Sequence, residues 1–241
     1  MASEDTGRGF GGFLSRLGGR RPTESPGGVR SEEPVLDASP AYPTKALRKF
    51  LSTLSGREAP VLLDLGPVIG SNLNFFGETL GCKVFIEDLY ADVERHLKNG
   101  TTSDLPDFIR KRLRHVDASI DGVLAWDLID YLDLSAAQVL ASELVRVMRT
   151  DAALLGFFGT AAPRGGEIRQ THYTKYIVVD EQTLRHRPYP ASRGRQRVLQ
   201  NRDIIRMFEG LRVSDSFLLQ TNLREILFRK PGYLAGAPST A

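Results

Sequence analysis

Cysteine is nearly absent from this chain: Cys82 stands alone among 241 residues. A single thiol excludes an intramolecular disulfide and a cysteine-rich metal site. Histidine is scarce too. His96, His115 and His186 show no ligand spacing and no supporting carboxylate pattern, so no metal is expected. No apolar run approaches the roughly 18 residues of a membrane helix, and the first residues lack the compact apolar core of a signal peptide. A cytoplasmic protein is the expectation. Charge of one sign is also lacking: 32 basic against 29 acidic residues leave +3, too little by itself to imply nucleic acid. There is no Gly-x-Ser-x-Gly elbow and no Gly-Lys-Ser/Thr loop, which excludes the common serine hydrolase and P-loop designs. Gly66-Pro-Val-Ile-Gly70 does not fit the dehydrogenase Gly-x-Gly-x-x-Gly pattern either.

What is present is ordinary for a globular domain: 41% hydrophobic and 25% charged residues. The length suits one sizeable α/β domain with extensions, placed here at 41–231. Residues 1–40 are rich in Gly, Arg, Ser, Pro and Glu. Such a segment buries too little apolar surface to offset its ordering entropy, so it reads as a disordered tail. Residues 232–241 are read in the same way.

The chain is organised around Val61-Leu-Leu-Asp-Leu-Gly-Pro-Val-Ile-Gly-Ser-Asn72. Val61–Leu63 read as a buried parallel strand closed by Asp64. Gly66 and Gly70 then bend the chain, and Ser71 or Asn72 is expected to cap a helix running to Leu80. Strand, glycine turn and helix start together form a nucleotide-binding geometry, with free N–H groups favouring a negative group. Lys83-Val-Phe-Ile-Glu87 is a second strand ending in an acid, and a carboxylate there can accept from both hydroxyls of a ribose.

Elsewhere, Thr44 is placed to cap a helix over 45–54 whose apolar face is Ala46, Leu47, Phe50, Leu51 and Leu54. Helices are expected over 91–98 and 105–115. Val123–Ala125 form another buried strand, followed by Trp126, Asp127 and Tyr131. Ser135-Ala-Ala-Gln138 reads as a capping box opening a helix to Met148. Strand 152–158, helix 202–211 and a final hairpin of 213–219 with 225–229 complete the pattern. Between them lies an insertion, 160–201, with strands 176–180 and 183–189. It holds Arg164, Arg169, Arg185, Arg187, Arg193, Arg195 and Arg197, interleaved with His172, Tyr173, Tyr176 and Tyr189.

On Asp64, Gly66, Gly70, Glu87 and the block Asp121–Leu132, the sequence resembles the class I S-adenosyl-L-methionine (SAM)-dependent methyltransferases. Their first motif is Asp-x-Gly-x-Gly-x-Gly, and Val68 stands here in place of the middle glycine. The resemblance implies a three-layer Rossmann-like sandwich, mostly parallel with a C-terminal antiparallel hairpin. No clear β run precedes Asp117, so the family's third strand is expected to be short or missing. The implied cofactor is SAM. Asp64, Gly66 and Gly70 would hold its methionine portion, Glu87 and Asp88 the ribose, and Asp117 and Ala118 the adenine, with Trp126 beside them. Asp127 and Tyr131 stand at the reacting end. Tyr42, His172, Tyr173 and Tyr176 are candidate substrate contacts, and the insertion is lid-like.

The implied activity is methyl transfer to a small-molecule acceptor, anionic if the arginines of the insertion meet it. Two alternatives stand beside it: a catalytically inactive binding protein on the same fold, motivated by Val68, and an RNA or DNA methyltransferase.

Overall fold

The computed structural model describes residues 39–160, 172–196, 198–219 and 221–232. Almost all of both expected tails, together with Arg164, Arg169 and Arg197, lies outside those residues.

In chain order the elements are β1 (Ala41–Pro43), α1 (Ala46–Leu54), β2 (Val61–Asp64), α2 (Gly70–Leu73), β3 (Lys83–Ile86), α3 (Leu89–Asn99), α4 (Leu105–Arg112), β4 (Ile120–Trp126), α5 (Leu134–Val147) and β5 (Met148–Gly159). They continue with β6 (His172–Asp180), β7 (Thr183–Pro190), α6 (Asn201–Met207), β8 (Arg212–Leu218) and β9 (Leu223–Arg229). Six strands make one sheet in the order β3-β2-β4-β5-β9-β8. The first four are parallel, while β9 and β8 complete the sheet antiparallel.

This is the expected mostly parallel α/β sheet with a C-terminal hairpin, and its third strand is missing. Between Glu87 and Ser119 there are only helices and turns. The reason is visible in Arg110-Lys-Arg-Leu-Arg114, which offers no run of apolar residues for a sheet position. β3 is therefore an edge strand.

The two faces of the sheet are covered differently. On one, Val93, Ile109, Leu140, Leu144 and Ile204 from four helices pack against Val123, Ala125 and Leu154. On the other, the apolar stripe of α1 meets Leu62, Leu124 and Leu155, together with Tyr176, Val178 and Leu184 of the insertion. All seven residues of β4 are buried, as the central strand of such a sheet requires.

The insertion is a hairpin, β6 and β7, turning at Glu181-Gln182, and β1 pairs with β7 to complete a second, three-stranded antiparallel sheet, β1-β7-β6. Its strands exceed the expected 176–180 and 183–189 because cross-strand pairing recruits His172–Lys175 and Pro190.

Several helix ends differ from expectation. Neither Ser71 nor Asn72 caps a helix: Ile69 precedes α2 without a side-chain cap, and the helix continues as a π-helical turn over Asn74–Thr79. Asn72 is spent on a tertiary contact instead. Its Nδ2 donates to the Tyr176 carbonyl at 2.8 Å and its Oδ1 accepts from Val178 N–H at 2.8 Å, pinning β6 to the glycine turn. Asn72→Ala would leave both backbone groups buried and unpaired, and a loss of about 2 kcal/mol is expected in urea unfolding.

The supposed capping box also fails. Ser135 lies inside α5, whose flanking Asp133 makes no cap bond, and Met148 begins β5 rather than ending the helix. Thr44 does accept from Leu47 N–H at 3.3 Å, but the stronger cap of α1 comes from far away. The buried Glu225 carboxylate of β9 accepts from Lys45 and Ala46 N–H at 2.8 and 2.9 Å.

Candidate functional site at the carboxyl ends of the parallel strands

The connection from β2 leads to β3 on one side, and the chain then returns across β2 to β4. The strand order therefore reverses between β2 and β4, and ligands of open α/β sheets bind in the crevice outside such a point. Asp64 closes β2 and Trp126 closes β4, so both stand at this crevice.

Trp126 is delivered there by an irregularity. The register of β4 against β5 shifts between Leu124 and Trp126, and Trp126 takes a left-handed backbone, φ 49°. Bulges commonly re-aim a side chain in this way, and a bulky residue at positive φ is strained. The indole Nε1 donates to Asp64 Oδ1 at 2.7 Å, and the ring lies flat on Tyr176, with centroids 5.1 Å apart and planes within 7°. Asp64 Oδ1 also accepts from Gly66 N–H at 2.8 Å. Burial raises the Asp64 carboxyl to about 6; the Gly66 and Trp126 donors pull against that shift, and the charge of Asp88 adds to it. Gly66 is glycine for a steric reason. A Cβ there would stand 2.9 Å from Trp126 Nε1 and 3.1 Å from Asp64 Oδ1.

Asp127 and Asp130 follow on the adjoining turn, both fully buried. Asp127 accepts from the Tyr90 hydroxyl at 2.6 Å and from Arg195 Nη2 at 2.9 Å. Asp130 accepts from Gly159 N–H at 2.7 Å, with Arg195 Nε at 3.6 Å. Gly159 makes room for that guanidinium, since a Cβ would lie 2.8 Å from Arg195 Nη1. Burial works against the charge of Arg195, but Asp127 holds its pKa above the usual arginine range. The Tyr131 hydroxyl lies 3.0 Å from the His172 carbonyl and 3.5 Å from Asp127 Oδ2. Burial and the Asp127 charge push its pKa far up, so in this arrangement the phenol is a neutral donor.

Thus Asp64, Gly66, Trp126, Asp127, Tyr131 and Tyr176 come together, with Tyr173 packed edge-on to Tyr131. Glu87 follows the end of β3, but its carboxylate is held by Arg112 and by His115 Nε2 at 3.1 Å. Asp88 caps α3, accepting from Ala91 N–H at 3.1 Å. Gly70 opens α2 with free space beside it. Asp117 and Ala118 are not brought to this crevice. They precede β4, at its amino end, where Asp117 pairs with Arg146 and Ala118 N–H donates to the Arg146 carbonyl. Without a third strand, no turn carries them to the other end of the sheet.

Tyr42 packs tilted against His186, 4.5 Å between centroids, and His172 is exposed at the start of β6. Tyr173 and Tyr176 are buried, offering no ring to a solvent-borne base.

Sequence reading missed Tyr90 and Asp130, and placed Arg195 among the insertion's arginines for an anionic acceptor rather than as the partner of Asp127. A signal existed. Two carboxylates three residues apart, directly after an apolar strand, need a cation once buried.

No family model matches the chain, and no curated protein matches it. Solved structures do show similarity. The 1,6-didemethyltoxoflavin-N1-methyltransferase of Burkholderia thailandensis, with 1,6-didemethyltoxoflavin and S-adenosylhomocysteine bound, is 16% identical over 78% of this chain and 79% of that one, with a TM-score of 0.43. A SAM-dependent methyltransferase from Aquifex aeolicus is 15% identical over 76% and 89%, TM-score 0.40. The [4+2]-cyclase SpnF is 10% identical over 77% and 80%, TM-score 0.45. Similarity at this level concerns fold. Among the described residues no helix is long and apolar enough to cross a membrane, and no three metal-ligating side chains cluster.

Proposed function

We propose that the described domain is a class I methyltransferase-type domain that takes SAM in the crevice between β2 and β4 and transfers its methyl group to a small-molecule acceptor. One observation carries this reading. Asp64, Glu87 and Asp127, acids from three separate stretches, stand at the carboxyl ends of three neighbouring parallel strands at the strand-order reversal. The sulfonium of SAM brings an already activated methyl group, so the chain's task is binding and orientation. A site without a strong base is in keeping with that task.

In the conformation described, the three acids are already partnered within the chain. Trp126 fills the space beside Gly66, Arg112 and His115 hold Glu87, and Arg195 and Tyr90 hold Asp127. This closure favours a second reading, in which the fold serves as a binding scaffold without turnover.

Calorimetric titration with SAM and S-adenosylhomocysteine separates the two readings. Micromolar binding, weakened about tenfold in Glu87→Ala by loss of charge-assisted hydrogen bonds, supports the cofactor reading. No heat at millimolar ligand leaves the scaffold.

A further inference from the structure

We propose that Trp126, Tyr176 and Arg195 form a built-in plug of the crevice, and that a ligand pairing a cation with a flat ring system enters by displacing them. The inference rests on the cofactor reading above for the identity of that ligand.

The plug is matched to its site chemically. Arg195 supplies a cation to the fully buried Asp127, and Trp126 supplies a planar ring with an N–H donor to Asp64. Each is the intramolecular counterpart of what a cationic, ring-bearing ligand would offer the same two acids. Tyr176 closes the arrangement by stacking on the indole.

The Arg195 part of the plug is also attached so that it can leave. Tyr176 sits on β6 and Arg195 on the segment between β7 and α6, both outside the six-stranded sheet. Around Arg195 that segment is tied by polar contacts: Ser192 N–H to Glu94 at 2.9 Å, Arg193 to Asp133 at 3.0 Å, and Gln196 N–H to the Asp130 carbonyl at 2.7 Å, with Ala191 and Leu199 anchoring its two ends on the core. The Arg195 side chain is 29% exposed although its partner carboxylates are fully buried, so water already reaches the guanidinium from one side. Trp126 is the last residue of β4 and pairs with Gly156 of β5 beyond the register shift. Its left-handed backbone is braced by the Asp64 hydrogen bond, the Tyr176 stack and the edge of Phe157, and such strain collects at ligand clamps and switches.

Trp126 is the sole tryptophan of the chain, so its emission reports on the plug alone. The experiment titrates the full chain with S-adenosylhomocysteine, following heat and tryptophan emission together, and repeats it on Tyr176→Leu. The expected result is that heat and emission trace one saturable curve, and that Tyr176→Leu binds about tenfold tighter because the closed state has lost its stacked partner. Binding confined to Tyr176→Leu also supports the plug, as a state locked in the wild type. Saturable heat with unmoved emission, or binding by Tyr176→Leu no tighter than wild type, overturns the plug and leaves the cofactor reading standing. If neither protein binds at millimolar ligand, while circular dichroism shows Tyr176→Leu folded, the cofactor reading fails and the inference with it.

Discussion

Arg195→Met is expected to cost about 3–5 kcal/mol of folding stability, because it strips the cation from a buried ion pair and leaves the carboxylates behind. Asp127 and Asp130 are both fully buried, and Arg195 is the cation that bridges them, at 2.9 Å and 3.6 Å. Tyr90 still donates to Asp127 and Gly159 N–H to Asp130, which solvates each acid in part without neutralising either. Adding Asp127→Asn to Arg195→Met removes one uncompensated charge and should recover about half of the loss. Urea unfolding of the single and double variants makes the comparison. A loss below about 1 kcal/mol in Arg195→Met would mean that water screens the pair as it does at a surface.

The second large effect is a pH dependence at Asp64. Its carboxyl is raised from 3.8 to about 6 by burial. Because the folded value is the higher, the folded state binds more protons between these two values, and stability falls as pH rises through that window. Near pH 4 the acid is largely neutral in the fold and no charge is buried. Above about pH 6 the buried charge is carried in full, costing about 3 kcal/mol by the conversion of pKa shift to free energy. Asp64→Asn keeps an oxygen for Gly66 N–H and Trp126 Nε1, and it carries no charge. It should be the more stable protein above pH 6 and should lose this part of the slope between pH 4 and 6. Chemical denaturation at pH 4.5, 6 and 7.5 measures it. Parallel curves for wild type and Asp64→Asn would contradict a raised carboxyl at Asp64.

Both effects arise from residues whose partners lie far away in the chain, and this separates what was legible in the sequence from what was not. The sequence by itself determined the strands at Val61–Asp64, Lys83–Glu87 and Val123–Ala125, since short apolar runs followed by an acid have one good home, a central parallel sheet, and the structure extends the last of them to Ile120–Trp126. It determined the antiparallel ending too, but left the third strand short or missing, and the structure has none before Asp117. Those are local patterns, and local patterns specify elements. It also brought Asp64, Gly66, Trp126 and Asp127 to one place, because each sits at the end of a strand.

Only the tertiary structure decided that this place is closed. Arg195 meets Asp127 across 68 positions, Trp126 meets Asp64 across 62, Asn72 holds β6 across more than 100, and Glu225 caps α1 across 180. No spacing rule reaches that far. A buried carboxylate must find a donor wherever the fold presents one, and which donor it finds depends on the packing of the whole domain.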